Sequence, residues 1–180
     1  LDVFSADRAR AHLEKIAKKP HPIGSDGAVG VREYLIAKLN ELGGETHVEQ
    51  GIGSVHYGRT VHAGLVNNVV TTFRGTSNSR AVMLVAHYDS VPEGTGAADD
   101  GAGLIVILEA VRALRASPAI KNDLMILFSD GEEAHGLARD AGRDGAFQQE
   151  LRGGRDSRHR QAARLRSRGL REASREERFR

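Results

Sequence analysis

Two apolar runs, AVMLVAHYD (residues 81–89) and NDLMILFSD (122–130), flank the segment GLIVILEAVRALRA (103–116), and this alternation leaves the chain few possible architectures. Each run is too short for a lone helix and too continuously apolar for a strand with one wet face, which suits strands buried on both faces of a parallel sheet. The segment between them is helical, so strand, helix and strand predict a βαβ unit. An open parallel sheet presents its ligands at the carboxyl ends of its strands. Both runs end there in ionisable groups. His87 and Asp89 close the first, Asp130, Glu132 and Glu133 close the second, and Asp99 and Asp100 open the helix between them. Groups spread over 46 positions are therefore expected to converge on one spot.

Upstream, Ser5 is a plausible N-cap for a helix carrying Ala6, Ala9, Leu13, Ile16 and Ala17, stopped by Pro20. After the PHPIGS turn, Val31, Leu35, Leu39 and Leu42 mark one face of a second helix that Gly43 and Gly44 end. Residues 46–50 and 66–74 are rich in β-branched side chains and read as strands, with a Gly-rich stretch of no clear pattern between them.

A chain of 180 residues suits one domain with a real core. It has no cysteine, which excludes a disulfide framework and thiolate ligands, so a metal site must be built from histidine and carboxylate. No apolar run approaches the roughly 18 residues of a membrane helix, and no basic-then-apolar leader opens the chain. It is expected to be soluble as given, although a start at Leu1 leaves an upstream leader or anchor open.

The charge is uneven. Residues 139–180 hold 13 Arg, no Lys and 7 acidic groups, a net +6, whereas residues 1–138 carry −4. Apolar periodicity stops near residue 138. Three readings of 138–180 stand side by side: a disordered basic tail, an arm for nucleic acid, or translation out of frame from a GC-rich gene.

Each acidic motif alone has a plain structural reading. His87 and Asp89 could merely solvate a strand end, Asp99 or Asp100 could be an N-cap, and GEE could be a charged turn. Three such accidents on one end of one sheet are the poorer account. In a strand-like H-x-D the two side chains point the same way, so Asp89 can orient His87.

The motifs AHYDS, GAADDGAG and LFSDGEEAHGL, in that order, resemble the aminopeptidase Y family of dinuclear zinc peptidases (metallopeptidase family twenty-eight). PHPIGS, the second helix and NNVVTTFRG resemble the same family, particularly its endoplasmic-reticulum and vacuolar-membrane protease branch and bacterial relatives. The resemblance covers Phe4 to Leu137. It implies a three-layer α/β/α fold with a mixed, mainly parallel sheet over residues 4–137, incomplete on its C-terminal side. It also implies two zinc ions. His87 would bind one, Asp99 would bridge both, Glu133 would bind the other, Glu132 would be the general base and Asp89 would hold His87. The Asp99–Asp100 peptide would be cis.

The implied activity is that of a zinc-dependent exopeptidase, an aminopeptidase acting on peptide or protein substrates, with no nucleic acid partner and no membrane contact in this chain. A full-length relative anchored in a membrane would place such a domain in a lumenal or extracytoplasmic space. The alternatives are glutaminyl cyclisation on the same fold, usually with one zinc, and a non-catalytic module whose Arg-rich tail binds nucleic acid. Family members carry two more ligands downstream, an aspartate and a histidine. Asp156 and His159 follow no strand and are not assigned to those roles, so the chain by itself is expected to be inactive.

Overall fold

The computed structural model describes residues 3–77, 80–116 and 120–134. The expectations for 138–180, Asp156 and His159 included, lie outside the described residues. Two helices come first, α1 (Ala6–Ile16) and α2 (Asp26–Glu41). Ser5 caps α1 by accepting the N–H of Arg8, and Ser25 caps α2 by accepting that of Ala28, each satisfying a donor that the first turn leaves unpaired. Gly43, at φ +82°, adopts the left-handed conformation that ends α2, and the N–H of Gly44 closes onto Leu39 O at 3.0 Å.

Strands β1 (Glu45–Tyr57) and β2 (Thr60–Phe73) then form one long antiparallel hairpin. The Gly-rich stretch that shows no clear pattern in the sequence is therefore mostly strand. Its glycines weaken β propensity, but each residue finds a partner across the ladder, Gly53 facing Gly64, and the chain reverses only at the two-residue Gly58-Arg59 turn. Strand β3 (Val82–His87), helix α3 (Gly101–Arg115) and strand β4 (Leu124–Ser129) follow, and β3 lies parallel beside β4, so the expected βαβ unit is present.

The sheet order is β1-β2-β4-β3. The sheet is mixed, as expected, but among the described residues only the β3–β4 pairing is parallel. The hairpin makes β1–β2 antiparallel, and β2 meets β4 antiparallel as well. One face packs against all three helices. Val69 and Phe73 of β2, Ala86 of β3, and Leu124, Ile126 and Phe128 of β4 join Ile16, Leu35, Leu39, Leu104, Leu108 and Val111 in one core. Fully buried Leu35 and Leu39 each contribute about 1.5–3 kcal/mol by leaving water. The described helices all share that face, so the second helical layer of the expected three-layer fold is not among them.

The helix period is what places the site. Packing the Leu104, Leu108 and Val111 stripe of α3 against the sheet fixes the N-terminus of α3 above the carboxyl ends of β3 and β4.

Candidate metal centre

His87 is the last residue of β3, and the N–H of Tyr88 continues the pairing onto Ser129 O at 2.9 Å before the strands part. Asp100 caps α3, its carboxylate accepting the N–H of Gly103 at 3.0 Å. Of the two adjacent aspartates, Asp100 is therefore committed to the helix. Asp99 is left with a side chain 82% exposed that reaches His87 Nε2 at 3.1 Å, and the peptide between the two is cis. On the other side, Gly131 at φ +76° turns the chain sharply after β4 and delivers Glu132 and Glu133.

The outcome is a compact donor cluster. Ligating atoms of His87, Asp99 and Glu133 all lie within 4.8 Å of one another. Glu132 joins the edge of this group, with Oε2 3.9 Å from His87 Nε2. All four residues singled out in the sequence as metal ligands or general base thus meet, although they come from a strand end, a helix-entry loop and a turn.

Asp89 is buried beneath them. The carbonyl of Asp89 accepts His87 Nδ1–H at 3.0 Å, and its Oδ1 lies farther from the same nitrogen, at 3.5 Å. The carbonyl is the bonded acceptor and the carboxylate a charged neighbour. Because a carbonyl can only accept, Nδ1 must carry a hydrogen, which leaves Nε2 facing the cluster. The carboxylate of Asp89 has other partners: Oδ1 accepts the N–H of Glu132 at 3.1 Å and Oδ2 that of Glu133 at 3.0 Å. Asp89 thus meets His87 through both its carbonyl and, at longer range, its carboxylate, and the same carboxylate holds the glutamate turn.

The charges reinforce one another. The Asp89 carboxylate first and Asp99 after it overcome the burial of His87 and raise its pKa to about 9. Burial and then the Asp99 charge push Glu133 above the usual carboxylate range. Acids this close repel one another, and a cation on the same oxygens and Nε2 relieves that repulsion while displacing the imidazolium proton.

Asp130, the fifth ionisable group of these strand ends, does not join them. It is buried, its Oδ2 accepts the N–H of Asn67 at 3.1 Å, and burial pushes its carboxyl above the usual range. Sequence reasoning also passed over the polar groups around it. The Tyr88 hydroxyl donates to Asn67 O at 2.9 Å, and the Asn68 side chain accepts the Asp130 N–H at 3.0 Å. The signal was available in NNVV, since two amides inside a β-branched run are out of place unless they pair. The PHPIGS turn is tied in as well, with His21 N–H donating to Ser90 Oγ at 2.8 Å.

Comparison with known proteins agrees with this geometry. The model of peptidase family M28 matches residues 68–159, which includes every residue of the cluster and extends beyond Leu137. The vacuolar membrane protease of Coprinopsis cinerea is 30% identical over 149 residues, 72% of this chain but 14% of that protein. A glutaminyl cyclase from Porphyromonas gingivalis superposes with a TM-score of 0.62 at 26% identity, over 72% of this chain and 46% of that one. A Zn-dependent exopeptidase from Parabacteroides distasonis gives 0.59 at 25% identity, over 72% and 47%. The chain thus spans about half the length of these solved structures and a small part of the fungal protein. With the family match covering about half of its residues and the site's donors brought together, the chain belongs to peptidase family M28.

Proposed function

We propose that this chain carries the water-activating part of a zinc-dependent exopeptidase site of the aminopeptidase type. The observation that carries the reading is the convergence of His87, Asp99 and Glu133 donors within 4.8 Å, with Glu132 beside them. One imidazole nitrogen and two carboxylates are the donor set zinc takes in a chain without cysteine, at bonds of about 2.0–2.2 Å. Asp99 Oδ1 already stands 3.1 Å from His87 Nε2, and its side chain is open to solvent. The donor set fits.

His87 Nε2 and Glu133 would hold one ion each and Asp99 would be shared between them. Bound there, zinc supplies Lewis acidity, bringing the pKa of water towards neutrality and polarising a carbonyl. Glu132 would take a proton from the attacking water and return it to the leaving amine as the C–N bond breaks, so atoms and charge balance. Asp89 would keep Glu132 and Glu133 at their places throughout. Two further ligands expected of the family are not assigned, and we infer that the chain alone retains fewer than two zinc ions.

Glutaminyl cyclisation is the second reading, favoured by the superposition on glutaminyl cyclase. Incubation of the zinc-loaded chain, or of a full-length version, with alanyl and N-terminal glutaminyl peptides separates the two. Release of free alanine supports the peptidase; pyroglutamate and ammonia without any free amino acid would replace it.

A further inference from the structure

Strand β2 is longer than one of its neighbours. It pairs with β1 from Thr60 to Thr72 but with β4 only from Val69 to Phe73. The β1–β2 register is unbroken outward from a two-residue turn, so the even-numbered residues of β2 direct N–H and C=O towards β1 and the odd-numbered ones towards the opposite edge. Where β4 stops, that edge is capped by side chains. Asp130 accepts the N–H of Asn67, and Tyr88 donates to its carbonyl. Past Asn67 the capping ends. The outward N–H and C=O groups of Val61, Ala63 and Leu65 meet no partner among the described residues.

A cleft of about 490 Å³ runs along this edge. Ile23, Gly24 and Ala134, the residue after Glu133, line it together with the outer part of β2. Val61 and Leu65 are 55% and 51% exposed, and among the described residues the cleft is lined by no acidic residue, lysine or arginine, His62 being its one titratable side chain. Such a place recognises main chain and neutral side chains, not charge. A row of outward amides and carbonyls at every second residue is the complement of one chemistry, an extended peptide backbone.

We propose that the open edge of β2 binds the backbone of an extended peptide as an added strand, leading one end of it past Ala134 to the metal cluster. The proposal rests on the peptidase reading for the identity of that peptide as substrate. It makes recognition depend on main-chain hydrogen bonds at Val61, Ala63 and Leu65, with alternate apolar side chains resting on Ile23 and Leu65.

Backbone amide hydrogen exchange of the zinc-loaded full chain tests it, using an apolar hexapeptide whose first peptide bond is reduced so that it cannot be cleaved. Exchange at Val61, Ala63 and Leu65 is expected to slow at least tenfold. Gly64 and Val66, already paired with β1, should change little. The same hexapeptide N-methylated at alternate residues should lose the effect. No slowing with either peptide would overturn the proposal. So would slow exchange at these three amides before peptide is added, which would put a segment of this chain on the edge instead. Hydrolysis of a single-residue aminoacyl arylamide is measured in parallel on a full-length version of the enzyme, since the chain alone is expected to be inactive, and that substrate is too short to reach the edge. Hydrolysis without slowed exchange overturns the docking edge and keeps the peptidase reading; slowed exchange without hydrolysis does the reverse.

Discussion

Asp89 Oδ2 accepts the backbone N–H of Glu133 at 3.0 Å, and Oδ1 of the same carboxylate accepts that of Glu132 at 3.1 Å. One buried side chain therefore sets the spacing between the end of β3, which bears His87, and the turn that bears both glutamates. Asp89→Asn keeps the size but turns an NH₂ group towards one of the two N–H donors. We expect a loss of about 1–3 kcal/mol in stability, the cost of leaving a buried donor unpaired. Zinc affinity should fall roughly 10- to 100-fold, as when a group that orients a ligand is removed. Urea denaturation reads the first and competition with a chromogenic chelator the second. Normal zinc affinity in a destabilised variant would remove the alignment role.

Glu132 and Glu133 adjoin in sequence but differ in duty. Glu133 belongs to the donor cluster, whereas Glu132 stands at its edge. Glu133→Ala is expected to lower bound zinc per chain after dialysis, and Glu132→Gln to leave it nearly unchanged. In a full-length version of the enzyme, Glu132→Gln should still abolish turnover. Metal analysis decides, and equal zinc loss in the two variants would refute the division of roles.

How much of this was legible follows the physics of each segment. Runs such as LMILF and LIVIL declare a buried strand and its crossover helix through period and length alone, and their ends located the site. The choice between Asp99 and Asp100 was not legible from composition, because either could cap α3. Only the backbone direction at the helix entry commits Asp100 to Gly103 and frees Asp99. The hairpin was hidden because Gly51, Gly53 and Gly64 carry no strand signal of their own, and their pairing is a long-range property of the ladder. Asp130 read as one more acid of the site, yet it replaces a missing strand partner at Asn67.

Away from the site, Glu109 of α3 gives the fold a specific acid sensitivity. Its side chain is fully buried and ion-paired with Arg8 at 2.9 Å and Arg112 at 2.7 Å, and it accepts the N–H of Ser5 at 2.8 Å. Burial alone would push its carboxyl up. Hydrogen bonds from Arg112, Arg8 and Ser5 outweigh burial and hold the pKa at about 2, below its ordinary 4.5. A pKa depressed by folding stabilises fully above pH 4.5, and that contribution, on the order of 3 kcal/mol, is lost as pH falls from 4.5 to 2. Glu109→Gln should be less stable than the parent at pH 7, with the gap closing towards pH 2. Urea midpoints at several pH values measure this, and a gap independent of pH would contradict the assignment.

The last prediction contrasts two glycines. Gly101 opens α3, where its N–H donates to Gly96 O at 2.8 Å. A methyl group there would lie 2.5 Å from that carbonyl oxygen and 2.9 Å from Leu13 Cδ1, so backbone must move. The backbone that moves is the 96–100 loop, and that loop presents Asp99 to His87. Gly101→Ala is therefore expected to cost about 1–3 kcal/mol, as overpacking does, and to weaken zinc binding with it. Gly30 lies within α2 with nothing inside 4 Å of a built Cβ. Gly30→Ala should gain about 0.5–1 kcal/mol from the lower entropy of the unfolded chain and leave zinc binding alone. Urea denaturation and zinc titration on both variants provide the check. Should the two alanines shift stability equally, or should Gly101→Ala keep full zinc affinity, the close approach at Gly96 would not be what positions Asp99.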